Sequence, residues 1–227
     1  MKLENSFPQK SKSIPYFFPN NGIIIDRIPE DIFVELNNEI VKVQKNLESL
    51  EKNNANLVGH MQHQYRFNHM SGLLNNYVVG LAEQHKRTFT PKKNFFGGFT
   101  GLKKNVNKFE FKVEDLWINL QRRHEFNPIH IHHGLYSFVI WMQIPYDIQE
   151  ERNTFKDMNS DFHVSGNFNF YYIDIFGVLQ NYSIELDKSK EGCICLFPSQ
   201  LSHSVNPFYT SDGFRISLSG NVHLRHM

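Results

Sequence analysis

Several things are scarce in this sequence of 227 residues, and each scarcity excludes something. Cysteine occurs only at Cys193 and Cys195. With one residue between them on a strand, their Cα atoms would stand about 6.5 to 7 Å apart, at the edge of what a disulfide spans. No second thiol pair exists to complete a thiolate zinc site, so both read as reduced packing thiols. No run of about 18 apolar residues is present, which argues against a transmembrane helix. The start from Met1 to Ser13 lacks the apolar core of a signal peptide, so the expected location is cytoplasmic. Net charge is scarce too, at +1 with a pI near 7.8, and no global field points to nucleic acid. No internal repeat at solenoid spacing is visible.

What is abundant is aromatic, with 21 Phe and 9 Tyr. The length suits one good core. We read residues 1–106 as a lead-in with a helical embellishment and 107–227 as the core domain, all in one compact unit. Ile14 to Phe18 reads as extended and Gly22 to Asp26 as a first strand. From Glu30, Phe33, Leu36, Ile40, Val43, Leu47 and Leu50 recur at helical spacing, so a helix is expected to run to about Asn53. A second should run from about Met70 to Phe89, stopped by Pro91. Between them, His60, His63 and His69 lie in a polar segment read as a loop near the mouth of a site. Phe95 to Gly101 lacks the Gly-Lys-Ser/Thr of a phosphate loop and reads as irregular.

The period changes after Lys108. Phe109 and Phe111 alternate with Glu110 and Lys112, and Leu116 to Gln121 follows as a strand with Trp117, Asn119 and Gln121 on one face. Leu135 to Pro145 reads as a long buried strand carrying Ser137, Val139 and Trp141 on one face. Tyr146 to Ser160 is charged and irregular, and strands follow at Asn167–Ile175, Val178–Leu186 and Gly192–Phe197. Short strands with regular turns favour a sandwich or barrel.

Chemistry concentrates in Phe126-Asn-Pro-Ile-His130-Ile-His132-His133-Gly134. Imidazole is the commonest ligand for iron, zinc and copper. On an extended segment His130 and His132 share a face, while Ile129, Ile131 and His133 point away. A third ligand is available at His203, after the turn Pro198 to Ser202, and Arg215 with Ser217 would present a guanidinium and a hydroxyl on one strand face. Together these residues describe a site for a metal and a carboxylate.

On these residues the chain resembles the 2-oxoglutarate- and Fe(II)-dependent oxygenases, closest to the small prolyl-hydroxylase-like oxygenases of bacteria and their phages. The resemblance covers roughly residues 115 to 222. It implies a mainly β fold with N-terminal helices, a double-stranded β-helix or cupin-like jelly roll, with Fe(II) and 2-oxoglutarate as cofactor and cosubstrate and O₂ as oxidant. It implies metal ligation by His130, His132 and His203, with His132 standing where most of the family has a carboxylate. It makes Arg215 the anchor for the far carboxylate of 2-oxoglutarate, Ser217 its neighbour, Asn119 a lining residue and Trp141 a pocket wall where relatives often have tyrosine. The prime substrate is not legible.

Imidazole in place of carboxylate leaves the metal centre one unit more positive, favouring anionic ligands. An additional carboxylate could complete the chelate, and Asp147, near a strand end, is the nearby candidate. Two alternatives use the same residues. One is a cupin-type three-histidine metalloenzyme without 2-oxoglutarate, which leaves Arg215 and Ser217 unexplained. The other is a non-catalytic jelly-roll binding module.

Overall fold

The computed structural model describes residues 22–47, 59–89, 109–154 and 163–226. Expectations for 14–18, 48–53 and 95–101 lie outside them. Strand β1 is Ile24–Arg27, helix α1 Glu30–Lys45, β2 Gln64–Arg66, α2 Gly72–Phe89, β3 Phe109–Gln121, β4 Asn127–His130 and β5 Tyr136–Gln143. Then come α3 Ile148–Thr154, β6 Phe168–Ile173, β7 Leu179–Ile184, β8 Cys193–Pro198, β9 His203–Val205 and β10 Arg215–His226.

The strands form two antiparallel sheets, a six-stranded one in the order β1-β8-β5-β10-β3-β2 and a four-stranded one in the order β4-β9-β6-β7. From β3 onward the chain passes back and forth: β3, β5, β8 and β10 lie in the large sheet, and β4, β6, β7 and β9 in the small one. This is the double-stranded β-helix. β1 and β2 extend the large sheet at its two edges, β1 on β8 and β2 on β3.

Alternation along the large sheet separates two cores. Ile118, Leu120, Phe138, Ile140, Ile194, Leu196, Ile216 and Leu218 face outward and pack with Ile32, Leu36 and Ile40 of α1 and Leu74, Val78 and Leu81 of α2. Their intervening neighbours Val139, Trp141, Cys193, Cys195 and Phe197 face the small sheet and pack with Phe168, Phe170 and Ile184. Each such side chain, fully buried, contributes about 1.5–3 kcal/mol. The cysteines are free and buried, and burial raises the Cys195 thiol well above its ordinary pKa.

Four local expectations are corrected. Helix α1 ends at Lys45 with Asn46 as its C-cap, short of Asn53; Glu30 and Asp31 in its first turn and Lys42 and Lys45 in its last complement the helix dipole. The polar histidine segment contains a strand, β2, which pairs with β3 and buries the adjacent residues Gln64 and Tyr65 on its two faces. The two strand pieces expected at 109–112 and 116–121 are one strand of 13 residues, with a bulge in which Asp115, at φ +55, and Leu116 together face Gly220 of β10. The irregular segment after Tyr146 contains α3, whose first turn is capped by Asp147: Oδ1 accepts from Gln149 N at 2.7 Å and Glu150 N at 3.2 Å. Among the described residues no helix is long and apolar enough to cross a membrane.

Candidate active site

Between the sheets lies a cavity of about 490 Å³. Its small-sheet wall carries the histidines. His130, last residue of β4, pairs directly with His203, first residue of β9. The chain leaves the sheet after His130, so the strand expected through His132 stops short. His132 sits in the following loop instead, fixed by its N–H to the Ser199 carbonyl at 2.9 Å and by Gln200 Nε2 to its own carbonyl at 2.9 Å. The loop turns His132 inward all the same. One ligand atom from each of the three rings lies within 4.8 Å of the others.

The donor atoms are prepared for a metal. His130 Nδ1 stands 2.8 Å from the Pro128 carbonyl and His203 Nδ1 2.9 Å from the Leu201 carbonyl. A carbonyl only accepts, so each Nδ1 carries the proton and each Nε2 keeps its lone pair. Burial lowers the pKa of all three rings. His132 is pushed down to about 3 by burial with help from His130 and His133, and His203 to about 2 by burial with help from His130 and His132. The rings are therefore neutral ligands at neutral pH. His203 stacks on Phe168 with centroids 5.5 Å apart and meets the Phe197 edge at 4.8 Å, which locks its orientation. A neutral three-nitrogen set suits Fe(II), and equally other late first-row ions. Asp147, spent as a helix cap, does not line the cavity, and no carboxylate joins the three histidines among the described residues.

The large-sheet wall carries the other residues picked from the sequence. Asn119, Trp141, Arg215 and Ser217 all line the same cavity as the three histidines. Asn119 Nδ2 donates to Ser217 Oγ at 3.2 Å, and Gln64 Nε2 donates to Asn119 Oδ1 at 2.6 Å. Gln64 gives no such signal in the sequence, because its short polar segment shows no strand alternation. Arg215 is only 3% exposed and has no carboxylate among its hydrogen-bond partners. Its acceptors are Gln121 Oε1, the Tyr146 hydroxyl and the Gly166 and Asn206 carbonyls. Phe208 lies 5.6 Å from its Cζ and stacks on Tyr146.

Behind this cage is a second buried charge. Glu151, 0% exposed, accepts from Tyr209 N at 2.9 Å, Thr210 N at 2.7 Å, Thr210 Oγ1 at 2.6 Å and Ser165 Oγ. It ties together the two segments that supply Gly166 and Phe208 to Arg215. Tyr146 and Glu151 carry no local sequence signal, since they join the surroundings of Arg215 only across long chain distances, such as the 69 residues between Tyr146 and Arg215.

A buried guanidinium without a counter-charge at one end of a cavity, and three neutral imidazoles on its wall, fit a metal plus a carboxylate-bearing ligand. Residues 115–221 match a family described as "Putative 2OG-Fe(II) oxygenase". The matched stretch runs from Asp115 in β3 to Asn221 in β10, a little under half of the chain. The family uses Fe(II) and 2-oxoglutarate. Among solved structures, a prolyl-4-hydroxylase from Pseudomonas putida is 15% identical, with 91% of this chain and 94% of that one covered and a TM-score of 0.49. An oxidoreductase of the 2OG-Fe(II) oxygenase family from Burkholderia pseudomallei is 14% identical, with 89% and 85% covered and a TM-score of 0.44. No curated protein matches the chain.

Proposed function

We propose that this chain is an oxygenase that hydroxylates its prime substrate with decarboxylation of 2-oxoglutarate to succinate, using His130, His132 and His203 as the iron ligands and Arg215 as the cosubstrate anchor. The observation that carries this reading is the buried, carboxylate-free guanidinium of Arg215 sharing one cavity with three ligand nitrogens. Bound together, Fe(II) and 2-oxoglutarate would supply the electrons that activate O₂, one oxygen atom entering a substrate C–H bond and the other the carboxylate of succinate.

The chain's own residues position and shield. The three Nε2 atoms hold the metal on one wall, and the Arg215 fork takes the far carboxylate through charge-assisted hydrogen bonds. Ser217, fixed by Asn119, adds a hydroxyl on the same strand face two residues away. Trp141 closes the wall with its edge against Phe168, centroids 5.9 Å apart, and limits water. In this reading α1 and α2 brace the outer face of the oxygenase core, and β2 supplies Gln64 to its cavity. A cupin-type enzyme without 2-oxoglutarate has no use for a buried arginine at the cavity end, and a plain binding module has none for three neutral imidazoles.

The test is an anaerobic titration of the Fe(II)-loaded protein with 2-oxoglutarate, beside Arg215→Ala. A visible charge-transfer band that appears in the wild type and weakens strongly in the variant supports the proposal. Iron uptake with no band and no effect of the arginine moves the assignment to the cupin-type alternative.

A further inference from the structure

The fork of Arg215 offers two edges that can each receive a carboxylate through paired N–H groups. One edge is spent on acceptors that cannot leave. Nη1 donates to the Gly166 carbonyl at 2.6 Å and to the Tyr146 hydroxyl at 3.0 Å, and Nη2 donates to the Asn206 carbonyl at 2.8 Å. Both carbonyls belong to pinned backbone: Gly166 N donates to Pro207 O at 2.8 Å and Asn206 N to Asn167 O at 2.9 Å. At Gly166, with φ +72°, a Cβ would stand 2.7 Å from the Tyr146 hydroxyl, so the two are packed as closely as atoms allow. Tyr146, Gly166 and Asn206 do not line the cavity.

The other edge is different. Nε and Nη2 both donate to a single atom, Gln121 Oε1, at 3.1 and 2.6 Å. Gln121 lines the cavity together with Arg215. Its amide is steadied by Nε2 donating to the Glu125 carbonyl at 2.5 Å, but it hangs from rotatable bonds, unlike the backbone acceptors opposite. The edge turned toward the cavity is thus covered by a neutral carbonyl oxygen where a carboxylate would sit.

We propose that Gln121 is a competing occupant of the carboxylate seat on Arg215, and that 2-oxoglutarate binds as this amide swings off the guanidinium. The proposal rests on the oxygenase reading and adds to it the residue that sets cosubstrate affinity. A neutral acceptor keeps the buried guanidinium hydrogen-bonded while the seat is free, without quenching its charge. Its bond subtracts from the apparent affinity, because only the swung-off state is competent to bind. The sign of the effect is therefore opposite to that of an ordinary contact residue.

The experiment is calorimetric titration of 2-oxoglutarate into the full chain loaded with Mn(II), for wild type, Gln121→Met, Gln121→Glu and Arg215→Ala, with circular dichroism and melting curves to verify folding. Methionine keeps the volume and removes the acceptor, and binding is expected to tighten roughly tenfold. Glutamate places a carboxylate on the same edge, and binding is expected to weaken by at least about tenfold. Unchanged or weaker binding by Gln121→Met, or wild-type affinity in Gln121→Glu, overturns the proposal. Wild-type protein that takes up no 2-oxoglutarate, or takes it up regardless of Arg215→Ala, overturns the oxygenase reading itself, and the Arg215→Ala arm tells the two failures apart.

Discussion

The two sheets are built to different standards, and the contrast shows where this fold places stability and where it places chemistry. The large sheet is buried on both faces, by α1 and α2 outside and by the inter-sheet core inside. In the small sheet β7 is largely exposed, and the β6–β7 hairpin exposes Ile175 at 86% and Phe176 at 83%. Yet the small sheet and the loop leaving it carry all three imidazoles, while the large sheet carries Arg215 in the lining of the same cavity. A thin, short-stranded wall can hold ligands because each imidazole is oriented by its own local contacts, a backbone carbonyl for His130 and His203 and an anchored loop for His132. A buried charge such as Arg215 needs the thicker wall, since its acceptors come from four separate parts of the chain.

Substitutions can break or sharpen this contrast. The largest effect is expected in the large sheet: Phe138→Ala, at a position only 1% exposed, should cost about 3–5 kcal/mol in chemical denaturation. Arg215→Ala should come next, raising the 2-oxoglutarate dissociation constant about a hundredfold in a binding titration while leaving Fe(II) uptake intact. Glu151→Gln should follow, removing charge from a carboxylate that accepts from two backbone N–H groups and two hydroxyls and costing about 1–3 kcal/mol of stability by thermal melt. The smallest effect belongs to the small sheet: Phe176→Ser, on the exposed hairpin, should stay within about 0.5 kcal/mol.

A pH series sharpens the same contrast in the metal-free protein. His132 and His203 have folded pKa values near 3 and 2, below the ordinary 6.5. Above pH 6.5 both states hold these rings neutral and nothing is gained or lost. As pH falls below 6.5 the unfolded chain takes up protons that the folded chain refuses, so stability should decline steadily toward the folded values. Melting temperature measured from pH 7 to pH 4 should fall, and fall less in a His132→Gln variant.

Much of this site was legible because it is written in local pattern. The His-x-His between Pro128 and Gly134, the histidine after the Pro198 turn and the arginine two residues before Ser217 each sit in a short segment whose alternation or turn chemistry sets its direction. The helical stripe of α1 and the inward face Trp117, Asn119 and Gln121 of β3 were legible for the same reason. The strand at Gln64–Arg66 was not, because three polar residues gain a strand's conformation only from pairing with β3. Nor was α3, a short helix that depends on its Asp147 cap and on the burial of Glu151.

The sequence by itself determined the class of fold, the three imidazoles and the guanidinium, since periodicity and spacing act within a few residues. Only the tertiary structure decided what surrounds them. The cage of Tyr146, Gly166, Asn206 and Gln121 on Arg215, the clamp at Glu151, and the loop rather than strand that turns His132 inward all come from contacts across long loops. Such contacts form only when strands pair, as β3 and β10 do at Gln121 and Arg215, and when the two sheets close on each other, and the pattern of any one segment carries no record of them.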